Sequence, residues 1–342
     1  MKWRGVGAIA AFAIVILALL LLLRGGASCR ADEEGQLVGT EPTLRTVLLG
    51  INHNLGQVES AAGVLTADDI PRVGSTLPDG TELKERHLVF YWVFQGVRFR
   101  EEKLTLNEEG RREAVGADGS LMDGVLGEWC SELEVTACDG EHDYLLRPLE
   151  NIAMVYGHGV VGSPARASSV AVGLGLWREE GQTHNGLVSA AKEILEKAGR
   201  VVEREEVDGR ECIKIQSPVD TEGTQYRWWV CPDTGFLVLK RERERSGTRW
   251  QGARYLMSEV SEPELFGDSV WLPRRIETTY TKRPLEGTEV VERKTVLRIE
   301  TMQLNPKLDQ DMFRIRLPLS ARVHAGTKGW DLFMDVNRLA RP

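Results

Sequence analysis

The chain lacks the local motifs by which most enzymes are recognised. Its 342 residues contain no Gly-x-Ser-x-Gly elbow, phosphate-binding loop or dinucleotide fingerprint. The six histidines are scattered, and none has a second histidine three or four residues away with which it could share a metal ion on one helical face. We therefore predict a protein that is not an enzyme and has neither a metal site nor a cofactor.

An excess of basic residues is also missing. The chain has 51 acidic residues against 43 basic ones, a net charge of −8, so it offers no basic surface for nucleic acid. Cysteine is sparse: Cys29 lies near the N-terminus, and Cys130, Cys138, Cys212 and Cys231 form an even set further on. Such a set suits an oxidising compartment, and none of the cysteines has the spacing of zinc ligands.

One long apolar run stands at the N-terminus. Residues 5–23 are all apolar or glycine, with Lys2 and Arg4 before them and Arg24 directly after. A nineteen-residue helix spans about 30 Å, the thickness of the hydrocarbon core, whereas the apolar region of a cleaved signal runs about 7 to 15 residues. The run predicts an export signal that can stay in the bilayer as a membrane helix.

A second interpretation of this segment stays open. Residues 26–29 (GASC) partly resemble a bacterial lipoprotein processing box, which would leave Cys29 lipidated. We therefore predict a signal anchor or lipoprotein signal over residues 1–30 and a linker over 31–39. Either tether places the rest of the chain on the exported, periplasmic side of a bacterial cell envelope, anchored to the membrane.

The remaining chain predicts a mainly β (α+β) fold over residues 40–320. Turn signals such as Asp139-Gly140 and Asp208-Gly209 separate short β-prone runs, with little room for helical crossovers between most of them. The predicted strands cover residues 87–94, 97–106, 132–137, 142–147, 200–207, 210–217, 225–231, 236–245, 248–259, 270–281 and 289–303. We expect a curled antiparallel sheet or half-barrel of about ten strands.

Two amphipathic helices are expected to cover the concave face of this sheet. The first, capped at residues 40–42, presents Leu44, Val47 and Ile51 at helical spacing. The second, over residues 187–198, is a lid helix with Leu187, Ile194 and Leu195 on its apolar side. Whether this lid is mobile or permanently packed stays open. Residues 321–342 form a C-terminal tail that we expect to be helical.

The aromatic residues of the predicted strands are the candidate binding site. They can line a cavity or form a plain sheet core, and core is favoured for any one of them. For the set we predict a lipid-binding cavity, because about ten strands have more apolar area than two helices can cover. The predicted cavity residues are Phe90, Trp92, Phe94, Phe99, Tyr226 and Trp228.

Two further features concern neighbouring strands. The hairpin formed by 210–217 and 225–231 places Cys212 and Cys231 nearly opposite one another on its polar side, which predicts a disulfide, with two free thiols as the alternative. No geometry can be assigned to a bridge between Cys130 and Cys138. Residues 240–245 (KRERER) put arginines on one face and glutamates on the other, a pattern typical of a solvated, salt-bridged strand end.

An ordered series of motifs resembles the LolA/LolB-like superfamily of lipoprotein-localisation proteins. Residues 92–100 (WVFQGVRFR) are similar to its early hairpin, and 135–145 (VTACDGEHDYL) to its strand, Asp-Gly turn and aromatic strand. Residues 207–212, 227–235 and 271–277 resemble its later strands, in the same order. The resemblance implies an open half-barrel with helices as a lid and an apolar cavity that receives acyl chains.

These observations predict a tethered envelope protein that binds the acyl chain of a lipid or lipoprotein without covalent chemistry. The alternative is an envelope scaffold or sensor that recognises a protein partner with its curled sheet. The tether itself is a departure from the family's carrier, which is a free periplasmic protein.

Overall fold

The computed structural model describes residues 42–76, 80–96, 98–106, 130–157, 176–177, 188–247, 252–267, 269–284, 288–315 and 322–325. The predicted anchor, Cys29 and the linker lie outside these residues, as does Leu187. Within the described residues, no helix has the length and apolar character needed to cross a bilayer.

The described chain contains two α-helices, α1 (Leu44–Gly56) and α2 (Ala190–Glu196). Three short 3-10 helices cover Pro148–Glu150, Pro232–Thr234 and Gln310–Phe313. The strands are β1 (Ser60–Pro71), β2 (Arg86–Gln95), β3 (Arg98–Leu106), β4 (Cys130–Cys138), β5 (His142–Arg147), β6 (Ile152–Gly157), β7 (Leu176–Trp177), β8 (Val188–Ser189), β9 (Arg200–Val207), β10 (Arg210–Gln216), β11 (Thr224–Cys231), β12 (Leu237–Arg245), β13 (Ala253–Phe266), β14 (Val270–Arg283), β15 (Val290–Leu304) and β16 (Arg322–Ala325).

Fourteen of these strands form one open sheet in the order β16-β6-β5-β4-β3-β2-β1-β15-β14-β13-β12-β11-β10-β9. Neighbours in sequence pair antiparallel within two meanders, β1–β6 and β9–β15, and the antiparallel pair β1–β15 joins the meanders. The prediction of sequential antiparallel pairing is confirmed, although the sheet is wider than the ten strands expected. Strand β16 adds parallel to β6, so residues 322–325 are a strand and the expected helical tail is wrong at this point.

Two strands extend beyond what their residues suggest. Strand β1 carries Asp68 and Asp69, which a strand tolerates because basic side chains on the neighbouring strands pair with both. Strand β13 was expected to end at residue 259 but continues through Pro263 to Phe266. Glu262 takes a positive φ of 56° immediately before this proline, an irregularity of the kind that lets a strand accommodate a residue without an N–H.

Helix α1 is held at both ends. Its N-cap is Thr43, whose hydroxyl accepts a hydrogen bond from the Thr46 amide at 3.3 Å, so the helix begins slightly later than the predicted cap at residues 40–42. Near its C-terminus the buried Asn54 amide donates to the Trp271 carbonyl at 2.9 Å and accepts from the Trp271 amide at 2.8 Å. These two bonds attach α1 to the start of β14.

The hydrogen-bonded register defines two faces of the sheet. We call the face against which α1 and α2 pack the helix face, because Val47 and Ile194 lie there in one cluster with Trp228. The opposite face is the groove face. One row of directly opposed residues follows the helix face across seven strands: Trp228, Arg241, Ser258, Thr278, Thr295, Asp69 and Arg86.

The apolar side of the sheet changes at β2. In β10 and β11 one set of buried apolar residues lies on the helix face: Ile213, Ile215, Tyr226 and Trp228. The buried Cys212, Trp229 and Cys231 alternate with this set and belong to another cluster. In β3–β6 they lie on the groove face instead, as the register of β2 to β6 requires: Leu104, Val135, Ala137, Tyr144, Leu146, Ala153 and Val155. The sheet therefore needs cover on opposite sides in its two parts.

Strand β2 lies between these parts and is apolar on both sides. Its helix-face residues are Leu88, Phe90, Trp92 and Phe94, and its groove-face residues include Val89, Tyr91 and Val93. An uninterrupted apolar run is typical of a strand buried on both faces, which explains the unusual sequence HLVFYWVF at residues 87–94.

Candidate functional site

A groove of about 760 Å³ lies over the junction of β15, β1, β2 and β3. Its lining residues are Ala62, Gly63, Val64, Tyr91, Trp92, Val93, Arg100, Glu102, Thr301, Met302, Gln303 and Met312. Most of these residues share the groove face, since the register pairs Ala62 with Val93, Val64 with Tyr91, and Tyr91 with Glu102. The volume falls within the range of small-molecule sites, about 300 to 1,000 Å³.

The floor of the groove is apolar and one rim is polar. Arg100 and Glu102 form an ion pair at 2.6 Å on β3, and the Arg100 Nη1 donates to the Met312 carbonyl at 3.3 Å. This hydrogen bond attaches the 3-10 helix that carries Met312 to β3. The arrangement combines apolar area for a flexible chain with a few polar groups that can orient a head group.

Gly63 permits the close approach of β1 and β15 at the groove floor. A Cβ at this position would lie only 2.3 Å from the Thr301 carbonyl oxygen, closer than any real side chain can approach. The register between β1 and β15 shifts immediately afterwards, between Val64 and Leu65. A larger residue would therefore push the two strands apart, which explains a glycine within a strand.

The six aromatic residues predicted to line a cavity share the helix face, as the register shows. They do not form one group. Phe90 and Trp92 are buried in a core with residues of β1 and β13–β15, and half-buried Phe94 packs against it, its ring stacked on Trp92 with a centroid separation of 5.9 Å. Tyr226 and Trp228 belong to the cluster under α1 and α2, and Phe99 is half-buried at the next strand. Trp92 borders the groove; a cavity lined by the whole set stays a prediction.

A buried ion pair attaches α2 to the sheet. Glu193 and Arg241 are 3% and 5% exposed, and the Arg241 Nε donates to Glu193 at 3.0 Å while its Nη2 donates to the other carboxylate oxygen. The indole Nε1 of Trp228 also donates to Glu193, at 2.8 Å. Three donors satisfy one carboxylate, so a seven-residue helix that would be marginal alone is held in place.

The predicted lid helix is shorter than expected. Ile194 lies on the side of α2 that faces the sheet and is fully buried, whereas Leu195 is 66% exposed, which corrects its assignment to the apolar side of the helix. The reason is geometric: Ala190, Ala191 and Ile194 point to the sheet, and a residue 100° further round the helix points away.

The four described cysteines are free thiols. The register that pairs Ile213 with Val230 places Cys212 opposite Cys231, and both are fully buried. Burial, with the neighbouring Cys231 thiol adding to it, raises the pKa of Cys212 to about 12. The disulfide between them is not formed in this structure and stays a prediction, but the adjacency that it needs is present.

A bridge between Cys130 and Cys138 is excluded by geometry. They are the first and last residues of β4, eight residues apart on one extended strand. At about 3.3 Å per residue their Cα atoms lie roughly 26 Å apart, far beyond the distance that a disulfide spans. These two thiols cannot pair with one another.

One described group has the composition of a metal site: Asp68, Glu85 and His87. The His87 Nδ1 lies 2.8 Å from Asp68 Oδ1, and its Nε2 lies 3.8 Å from Glu85. The second Asp68 oxygen accepts from Arg298 at 3.0 Å. Both Asp68 oxygens are thus engaged, one by His87 and the other by Arg298. A zinc site typically has three or four protein ligands, and this group does not offer that many unengaged ones.

Sequence reasoning missed the groove and the ion pair under α2. The apolar run of β2 is uninterrupted, so its groove-face residues were visible in the sequence and burial of this strand on both faces could have been inferred. Glu193 carries a weaker signal, a carboxylate three residues after Ala190 on the apolar side of a short helix. Its partner Arg241 lies 48 residues away in the sequence, and no local pattern connects them.

No family model and no curated protein matches the chain. Solved structures do. A domain from Vibrio parahaemolyticus described as an outer membrane lipoprotein-sorting protein domain is 9% identical, covers 79% of this chain and 97% of its own, and has a TM-score of 0.43. A LolA superfamily protein from Nitrosomonas europaea is 12% identical, with coverages of 80% and 98% and a TM-score of 0.40.

The lipoprotein LppX from Mycobacterium tuberculosis also matches, at 8% identity, coverages of 78% and 99% and a TM-score of 0.24. Proteins described as a lipoprotein-sorting domain and as a LolA superfamily member are thus among the solved structures that the chain matches.

Proposed function

We propose that this chain is a non-catalytic protein of the cell envelope that binds the acyl chain of a lipid or lipoprotein in the groove over β15, β1, β2 and β3. The observation that carries the proposal is the groove itself, with its volume of about 760 Å³ and a floor that includes Ala62, Val64 and Val93. Burial of methylene groups needs no reactive side chain, in keeping with the lack of catalytic motifs.

The expected driving force is sufficient. Each buried methylene contributes about 0.8 kcal/mol, so about ten carbons of an acyl chain offer roughly 8 kcal/mol before the cost of ordering the chain. The ion pair of Arg100 and Glu102 at the rim leaves polar groups near the place where a carboxyl or ester end would lie.

Ligand binding is tested with the purified full chain and a fluorescent fatty acid, together with mass spectrometry of any lipid extracted from the protein. Ala62 is half-buried in the groove floor, so Ala62→Trp should fill the groove and weaken binding at least about ten-fold. The matched control is Ala253→Trp, at a half-buried alanine of β13 that does not line the groove, which should bind like wild type.

Wild-type protein that binds no fatty acid and yields no lipid on extraction would end the acyl-chain proposal. It would favour the other candidate, an envelope scaffold or sensor that recognises a protein partner. Equal loss of binding in the two tryptophan variants would show that the groove is not the site.

Membrane tethering is part of the proposed function and rests on residues 1–30 of the sequence. After cell fractionation and carbonate treatment, we expect the chain to stay with the membranes. Cys29→Ser then separates the two tethers, because lipidation needs the thiol whereas an uncleaved anchor does not. Release of the wild-type protein into the soluble fraction would contradict both.

A further inference from the structure

A row of three basic residues crosses the helix face where β12 ends, β13 begins and β14 ends. The register places Arg254 directly opposite Arg245 on one side and directly opposite Lys282 on the other. Like charges in directly opposed positions of an antiparallel sheet repel one another and destabilise it. A sheet keeps such a row at a cost unless anions balance the charge.

The acidic partners of this row are few. Arg245 pairs with Glu222 at 3.2 Å, but the two side chains are 41% and 69% exposed. Lys282 lies 3.8 Å from Glu292. Arg254 makes no ion pair with any residue that the structure describes. Water screens exposed pairs of this kind, so they offset little of the repulsion.

The glutamates that neighbour Arg245 in the sequence lie on the opposite face of the sheet from the basic row. In the run 240–245, Arg241, Arg243 and Arg245 lie on the helix face, and the alternating residues lie on the groove face. There Glu242 and Glu244 pair with Arg227 at 3.2 and 2.9 Å. The expected placement of arginines on one face and glutamates on the other is therefore present, and Glu242 and Glu244 form their salt bridges on the groove face, away from Arg245.

A small cavity lies beside the row. It has a volume of about 70 Å³ and is lined by Arg243, Arg245, Arg254, Tyr255, Leu256 and Tyr280. This is a little more than twice the volume that one water molecule occupies in the liquid, about 30 Å³, which suits a single tetrahedral oxyanion. The Arg243 guanidinium lies over the Tyr226 ring at 5.9 Å, a contact that limits its freedom to move.

We propose that this cavity, the arginine site, binds the phosphate group of a ligand. Arg243, Arg245 and Arg254 provide guanidinium donors, which are charged at every physiological pH and match the geometry of phosphate oxygens. A phosphate carried by a lipid head group and a phosphate free in solution present the same oxygens, so the chemistry of recognition is the same for both. The site lies on the helix face and is separate from the acyl-chain groove.

The test uses the purified full chain and two probes. Sodium phosphate is titrated at constant ionic strength, and vesicles of phosphatidylcholine are compared with and without phosphatidic acid. Arg254→Gln should weaken binding about ten-fold or more, the loss expected when one charge-assisted hydrogen bond is removed. The matched control is Arg283→Gln, which removes the same charge from an exposed residue that pairs with Glu289 and does not line the cavity.

Thermal unfolding gives an independent measurement. Phosphate should raise the Tm of wild type and of Arg283→Gln but leave that of Arg254→Gln unchanged. Without phosphate, Arg254→Gln should be at least as stable as wild type, because the substitution relieves the repulsion along the row.

The probes also identify the source of the phosphate. Binding of sodium phosphate by wild type shows that the group alone is recognised, whereas binding only to vesicles with phosphatidic acid assigns it to a lipid head group. Wild type that responds to neither probe, or equal losses in Arg254→Gln and Arg283→Gln, would overturn the proposal. Ala62→Trp should leave phosphate binding intact, so failure of the groove proposal does not affect this one.

Discussion

The part of the sheet formed by β10–β12 and the part formed by β3–β6 bury opposite sides. In β10–β12 the apolar residues of the helix face are covered by α1 and α2. The buried Cys212, Trp229 and Cys231 alternate with them along β10 and β11 and belong to a second cluster. In β3–β6 the apolar residues lie on the groove face, and Ile315, just after the 3-10 helix Gln310–Phe313, packs against them. The helices that cover β10–β12 and the segment that covers β3–β6 therefore lie on opposite sides of the sheet.

This difference shows what β2 does for the fold. A single lid cannot cover a sheet whose apolar side changes, so one strand must be buried on both faces where the change occurs. Strand β2 is that strand, with Trp92 on one face and Tyr91 on the other. The groove lies beside it, at the place where cover of the groove face ends.

The largest effect is expected at this junction. Trp92 is 3% exposed and stacked on Phe94, so Trp92→Ala should lower the free energy of unfolding by about 3 to 5 kcal/mol. Hydrogen exchange should rise in both parts of the sheet, because both depend on β2. Urea unfolding and exchange of the same variant measure this. A stable variant that only loses fatty-acid binding would instead place Trp92 in a ligand cavity, as the sequence analysis predicted.

Removal of Glu193 should affect one part only. Glu193→Ala leaves Arg241 buried without its carboxylate, which should cost about 3 to 5 kcal/mol. Exchange should increase in α1, α2 and β10–β12 and stay near wild type in β3–β6. The double variant Glu193→Leu with Arg241→Met should recover much of the loss, since no unpaired charge remains.

The matched change in the other part is Leu104→Ala, at a residue that is 1% exposed under the groove face. It should cost about 2 to 5 kcal/mol and raise exchange mainly in β3–β6. If either substitution loosened both parts equally, the separation of the two parts would be wrong.

The cysteine pair offers a smaller, reversible effect. If Cys212 and Cys231 are oxidised after export, reduction should lower the free energy of unfolding by about 3 kcal/mol, the value for a loop of this length. Peptide mapping without reduction identifies the bridge directly. The control is Cys212→Ser, whose stability should not respond to reductant because it cannot form the bridge. Complete alkylation of both thiols in unfolded, unreduced wild-type protein would rule the bridge out.

The smallest expected effect is the change in fold stability at acidic pH. Burial alone would raise the pKa of Asp69, but hydrogen bonds from Arg293 and Arg86 outweigh it, so the pKa lies below its ordinary value. The ion pairs therefore stabilise the fold above about pH 4 and lose this effect as the carboxylate protonates below it. The stability difference between wild type and Asp69→Asn should shrink below about pH 4; a difference that is constant with pH would contradict this assignment.

Local sequence patterns predicted most elements well, and their failures share a cause. The hairpins of β9–β12 follow from alternating residues and Asp-Gly turns, which act over a few residues. Strand β1 was harder to recognise because Asp68 and Asp69 are unfavourable in a strand until Arg86, Arg293 and Arg298 pair with them. Strand β16, four residues long, exists through its parallel pairing with β6, more than 160 residues earlier.

The sequence by itself determined the β-rich class, the two helices, the antiparallel hairpins and the apolar faces of individual strands, because side-chain alternation and turn chemistry are local. Only the tertiary structure decided which strands pair and which side of the sheet each apolar strand face lies on. The pairing of β1 with β15, the change of the apolar side at β2, the ion pair of Glu193 with Arg241 and the arginine site all bring together residues that are distant in the chain. Their energies depend on burial and on neighbouring charges, which exist only after the strands have assembled.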